Sequence, residues 1–114
     1  MKVFMMMVAM AVLTATQSLT VYTASYYGGH HHGRRTASGE VFDKNKMTCA
    51  AVKKYKFGER LKVTNTKNGK SVVVTVNDRG GFAKYGREID LSEGAFKQIA
   101  PLKQGLVKVN IQRL

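Results

Sequence analysis

The carboxylates of this chain stand where its regular elements break. Glu40 and Asp43 fall in a stretch from His30 to Asp43 that is rich in Gly, His, Arg and Ser and has no apolar period. Asp78 stands where the run Val72–Val73–Val74–Thr75–Val76 meets Arg79–Gly80–Gly81. Asp90 lies between Ile89 and Leu91, just ahead of Ser92. A carboxyl group with apolar neighbours titrates above its usual range, which suits a general acid for breaking a glycosidic bond. Asp90, Glu40, Asp43 and Asp78 are therefore the candidate acid/base groups. Each also has an ordinary reading: Asp is a standard turn former, and Asp78 next to Arg79 could be a structural ion pair.

Other chemistry-bearing residues narrow the choice. His30, His31 and His32 are consecutive, so on extended chain they point in different directions and cannot share one metal ion; neither a metal nor a cofactor is expected. There is no Gly-rich phosphate loop and no Ser-x-x-Lys or Gly-x-Ser-x-Gly nucleophile motif. Cys49 sits in Met47–Thr48–Cys49–Ala50–Ala51–Val52 and reads as a small buried hydrophobe. As the single cysteine of the chain it has no internal disulfide partner. Tyr27, Phe82 and Tyr85 lie beside polar loop residues, where an aromatic face can stack on a sugar ring. His32, Arg79 and Arg87 complete the set of candidate substrate contacts.

The elements that must position these groups are short. Residues 19–27 are rich in β-formers and predict a first strand. Leu61–Thr66 alternates apolar and polar, and Leu106–Gln112 does so again. Asn68–Gly69 predicts a two-residue type I′ hairpin turn, with Ser71–Asn77 as the return strand. That strand is almost wholly apolar, so it is expected to be covered on both faces. Ser92 is placed to cap a short helix in which Ala95, Phe96 and Ile99 share a face, with Pro101 just past its end. Several short strands, one hairpin and one short helix predict a small β-barrel.

The N-terminus reads differently. Lys2, the apolar run Val3–Leu13 and the small polar residues 14–18 have the order of a secretory signal peptide. The run is shorter than the ~20 residues a membrane span needs. Residues 1–18 are thus expected to be a cleaved signal and residues 19–114 the single domain, free of a membrane anchor and monomeric. The 19 Lys and Arg against 7 Asp and Glu, a formal charge of +12, favour anionic partners. An export signal turns that preference away from nucleic acid and toward the cell envelope.

Several ordered segments carry a family resemblance. They are Ala24–Ser25–Tyr26–Tyr27–Gly28, Gly33 to Asp43, Phe57–Gly58, Val63–Thr64–Asn65, Asn68 to Val74, Val76–Asn77–Asp78–Arg79–Gly80 and Gly86 to Ser92. Together they resemble the double-psi β-barrel domain of the rare lipoprotein A (RlpA-like) family, which is related to expansins, barwin-like proteins and membrane-bound lytic transglycosylase A. The resemblance implies a six-stranded double-psi barrel with a glycan-binding groove. It implies lytic transglycosylation of peptidoglycan glycan strands, which cleaves the MurNAc–GlcNAc bond without water and leaves a 1,6-anhydro end. Anionic wall polymers would be a second partner. The loop carboxylates carry over as Glu40 and Asp43, the barrel aspartate shared with expansins as Asp90, and that of the Asn-Asp-Arg-Gly segment as Asp78. Three positions depart from the pattern. Val52 replaces the His that follows the family's Thr-Ala-Ala segment, Gly81 stands where Pro is common, and the lipid-attachment Cys is missing. Val52 favours an alternative, an expansin-like protein that binds or loosens wall glycan without cutting it.

Overall fold

A computed structural model describes residues 20–80 and 87–114. Six strands, β1 (Tyr22–Tyr27), β2 (Thr48–Ala51), β3 (Arg60–Asn65), β4 (Ser71–Asp78), β5 (Arg87–Ser92) and β6 (Val107–Arg113), close into a barrel in the order β1-β5-β2-β4-β3-β6. The β1–β5 and β2–β4 pairs are parallel and the other four antiparallel. One helix, α1 (Glu93–Phe96), follows β5 directly.

Period-2 alternation builds the wall. Leu61 and Val63, Val72, Val74 and Val76, Ile89 and Leu91, and Val107 and Val109 all point inward and are buried. Their neighbours Lys62, Thr64, Val73, Thr75, Asp90 and Lys108 remain at least partly exposed. Phe96 plugs the core from α1 and packs against Tyr26, the ring centroids 4.7 Å apart and the planes tilted by 48°. β4 corrects an expectation: it is interior to the sheet, between β2 and β3, but only one of its faces is covered. A barrel wall has a single inner face, so Val73 and Thr75 stay half-exposed although the run is apolar.

Two local predictions shift as well. The hairpin exists, but its last paired residues are Asn65 and Lys70 (N···O 2.8 Å), which leaves the four-residue loop 66–69 instead of a two-residue turn. Gly69 takes a left-handed φ there, +75°, and the Asn65 and Asn68 amides tie the loop to the Ile99 carbonyl at 2.8 and 3.0 Å. The helix is capped as expected, with Ser92 Oγ accepting from the Ala95 N–H at 3.1 Å, yet it ends at Phe96. Beyond it Gln98 and Ile99 bond to carbonyls three residues back, so the chain tightens into turns and Ile99 is buried from outside the helix.

Candidate active site

The barrel's register lines up one row of outward side chains across four strands. Ser25 on β1 pairs with Asp90 on β5, Asp90 with Ala50 on β2, and Ala50 with Asp78 on β4. The last pairing depends on a bulge: Cys49 faces Val76, but Ala50 faces Asp78, so Asn77 is skipped. A bulge re-aims the residue after it, and here it brings Asp78 into the row. Adjacent strands lie about 4.8 Å apart, so the backbones of Asp90 and Asp78 are separated by about 10 Å. Between them Ala50 is almost fully buried. The row thus sets one carboxylate on either side of the Ala50 position.

The two carboxylates are held differently. Asp90 accepts a short hydrogen bond from Ser25 Oγ, and that oxygen in turn accepts from the Arg87 guanidinium at 2.5 Å. Burial raises the Asp90 pKa above the usual carboxylate value of 3.8. The Ser25 bond and the charges of Arg87 and His31 pull the other way, and Asp78 adds to the rise. Asp78 accepts from the Ala37 and Arg79 N–H groups, both at 2.9 Å, and from the Tyr27 hydroxyl at 3.2 Å. It therefore pins the 28–46 loop onto the barrel rim. Burial, and then Asp78, push the Tyr27 phenol well above its ordinary range, so it stays protonated. The Tyr27 ring stacks on Phe42 at 4.5 Å with 17° between planes, and His31 meets its edge at 5.4 Å.

The remaining candidates are placed as follows. Glu40 is exposed on the loop, its Oε1 3.5 Å from Ser38 Oγ. Asp43 turns the chain by accepting from the Asn45 N–H at 2.9 Å. His32 Nδ1 accepts from the Lys44 N–H at 3.2 Å and lies 4.0 Å from Asp43. Arg79 donates to the Ala51 and Tyr55 carbonyls at 3.3 and 2.8 Å and lies over the Phe57 ring at 4.1 Å. It ties β2 to the segment after it and makes no ion pair with the Asp78 carboxylate. Phe82 and Tyr85 lie outside the described residues, as do residues 1–18, expected from the sequence to be a signal peptide. Cys49 faces the core, and burial pushes its thiol far above the ordinary value.

Sequence reasoning missed Ser25, Ala50 and Glu88. Val52, at the family's His position, bonds through its N–H to the Glu88 carbonyl at 3.2 Å. The Glu88 carboxylate accepts from Tyr55 Oη at 3.2 Å and from Lys54 Nζ at 2.9 Å. The alternation Glu88–Ile89–Asp90–Leu91 was the available signal, because it places Glu88 and Asp90 on one face. Among the described residues no group of three His, Cys, Asp or Glu is arranged to hold a metal ion.

A family model described as lytic transglycolase matches residues 19–111. The chain belongs to the lytic transglycolase family. Among its relatives is a probable endolytic peptidoglycan transglycosylase RlpA of Synechocystis, 54% identical over 86 residues, which are 75% of this chain and 26% of that protein. The endolytic peptidoglycan transglycosylase RlpA of Neisseria meningitidis serogroup A is 47% identical over 91 residues, 80% of this chain and 37% of the relative. The chain thus spans well under half of these larger family members. An uncharacterized Synechocystis protein is 45% identical over 92 residues and is matched over 96% of its length. The fold is that of solved double-psi barrels. A Streptomyces papain inhibitor superposes with a TM-score of 0.66 at 22% identity, covering 86% of this chain and 97% of the inhibitor. A Clavibacter michiganensis expansin superposes with 0.66 at 24%, covering 83% of this chain and 50% of the expansin.

Proposed function

We propose that this domain is an endolytic lytic transglycosylase acting on peptidoglycan glycan strands, with Asp90 as the acid/base. The observation that carries the reading is the state of Asp90: a carboxyl group with a raised pKa, oriented by Ser25, in the row that runs on to Asp78 and that we take as the glycan groove. A protonated Asp90 donates to the O4 oxygen of the leaving GlcNAc as the bond to MurNAc C1 breaks. The resulting carboxylate takes the proton from the MurNAc C6 hydroxyl while O6 bonds to C1. The 1,6-anhydro ring closes, no water is consumed, and Asp90 ends protonated as it began. One carboxyl suffices, whereas inverting hydrolysis needs a second to activate water. Asp78, with Tyr27 and Phe42, shapes the other wall. Tyr27 and Arg87 contribute most to holding glycan and orienting Asp90, while Arg79, spent on backbone carbonyls, braces the site. Glu40, exposed on the loop, and Asp43, half-buried there, are the secondary acid candidates.

The relatives named as peptidoglycan transglycosylases support this substrate and, with it, work in the cell envelope. An expansin of the same fold has been solved with cellohexaose, which supports glycan in the groove. Residues 1–18 fit this reading as an export signal, and N-terminal sequencing of secreted material should begin after them. The test of the activity is digestion of purified sacculi by the mature protein, with mass spectrometry of the soluble fraction. Anhydro-muropeptides are the expected product. Intact sacculi carrying bound protein would favour the second reading, a non-cutting glycan binder, for which Val52 in place of an imidazole beside Glu88 is the specific observation.

A further inference from the structure

The seven carboxylates are segregated. All except Glu59 lie in the 28–46 loop, at the end of β4, on β5 or at the start of α1. Residues 60–77 and 94–114 contain no Asp or Glu but hold six lysines and two arginines, all exposed. The acid at their border, Glu59, is neutralised by Arg113 at 2.9 Å. In the closed ring β3 and β6 stand across the barrel from β5 and β2, so this acid-free surface backs directly onto the groove wall.

The register gives that surface its pattern. Along the outward side of β3 and β6, Lys62 faces Gln112 and Thr64 faces Asn110, and the Thr66 N–H then bonds to the Lys108 carbonyl at 3.0 Å. Ammonium groups thus stand at both ends of a strip about 13 Å long, four residues of strand, with hydroxyls and amides between them. Beside the Lys108 end lies an open hollow of about 380 Å³ over Leu106 and Val107, with Lys67 and Lys108 among its lining residues. Along the strip anions meet the spaced ammonium groups of Lys62 and Lys108, with the exposed Arg60 one step beyond Lys62 on the same row of β3.

We propose that the β3–β6 face is a second docking surface, occupied by the free carboxylates of peptide stems on the glycan strand adjacent to the one in the groove. The proposal rests on the reading that the groove takes peptidoglycan. Both ligands then belong to one polymer, and engagement of either raises the effective concentration of the other. Charge complementarity selects the occupant, because a strip carrying lysines and no acid across ~13 Å attracts repeated carboxylates and repels nothing anionic.

The test is sedimentation of the full chain with sacculi that are untreated, carbodiimide-amidated on their stem carboxylates, or stripped of phosphopolymers by hydrofluoric acid. Phosphatidylglycerol vesicles form a fourth arm. The triple variant K62Q/K67Q/K108Q should bind untreated sacculi about tenfold more weakly, the scale of three modest charge contacts. A triple of equal charge on the groove side, K46Q/K53Q/K56Q, should lose clearly less. Amidation should weaken the wild type to the level of the first triple and weaken that triple no further, and stripping phosphopolymers should change neither. Equal binding by triple and wild type overturns the proposal. So does loss of binding on phosphopolymer removal in place of amidation, or stronger sedimentation with vesicles than with sacculi. Failure of the groove reading is separate: there no anhydro products form, whatever the triple does.

Discussion

On β5 the outward residues are Glu88 and Asp90; on β6, across the barrel, they are Lys108, Asn110 and Gln112. Both strands obey the same alternation, with Ile89 and Leu91 or Val107 and Val109 filling the shared core. Their outer faces differ in what lies over them. The 28–46 loop lies on the β5 side, where its His31 and Phe42 pack on Tyr27 of β1 and Asp90 is partly buried. On the β3–β6 side Lys62, Lys67 and Lys108 stay exposed, with Lys108 Nζ donating to the Thr23 hydroxyl at 2.7 Å and the Asn110 amide to the Thr20 carbonyl at 2.8 Å. Burial under a loop makes a carboxylate reactive, while bare exposure leaves an ammonium as a weak, salt-sensitive contact.

The contrast can be broken at several points, the largest first. Asp90→Asn keeps size and shape but cannot exchange a proton, so turnover should fall ~10²–10⁴-fold. Asn110→Asp, which adds a carboxylate on the bare side, should leave turnover at the wild-type level; chromatography of released fragments measures both. Asp78→Ala strands the Ala37 and Arg79 N–H groups and the Tyr27 hydroxyl, which should cost about 2 kcal/mol in denaturant unfolding and loosen the loop. Thr64→Ala on the far face should stay within about 0.5 kcal/mol. Tyr27→Phe keeps the stack on Phe42 and removes the bond to Asp78, and about 1 kcal/mol is expected from the same melts.

The smallest effect is a pH dependence. The folded pKa of Asp90 is raised above 3.8, so the native state holds its proton longer than the unfolded chain. The stability this contributes is fully present below 3.8 and is lost as pH rises through the folded value. Asp90→Asn lacks that loss. Its stability relative to wild type should therefore grow as pH rises above 3.8, and denaturant melts across that window would show a flat or opposite trend if Asp90 were not held this way.

Much of this was legible in the residues. The alternation of Leu61–Thr66 and Leu106–Gln112 marked β3 and β6, and Ser92 marked the start of α1 within its first turn. β2 and β5 were not read as strands, since Thr-Cys-Ala-Ala shows no polar–apolar alternation and that of Glu88–Leu91 is only four residues long. Their place is fixed by long-range pairing with β4 and β1. The motif residues pointed to Asp90 and Asp78, but the row joining them runs through Ala50 and depends on a bulge between Cys49 and Ala50. Nothing in the local sequence announces that bulge. Ser25 was visible only as part of Ala24–Ser25–Tyr26–Tyr27, and its role appears once β1 lies beside β5.

The central claim is that the covered face cuts and the bare face grips. The direct measurement follows bound protein and released anhydro product together, on saturating sacculi, for wild type, Asp90→Asn and K62Q/K67Q/K108Q. The account predicts that Asp90→Asn binds like wild type and releases almost nothing. It predicts that the lysine triple binds more weakly yet, once bound, releases product at the wild-type rate. Release by Asp90→Asn at the wild-type rate, or a parallel fall of binding and release in both variants, would contradict it.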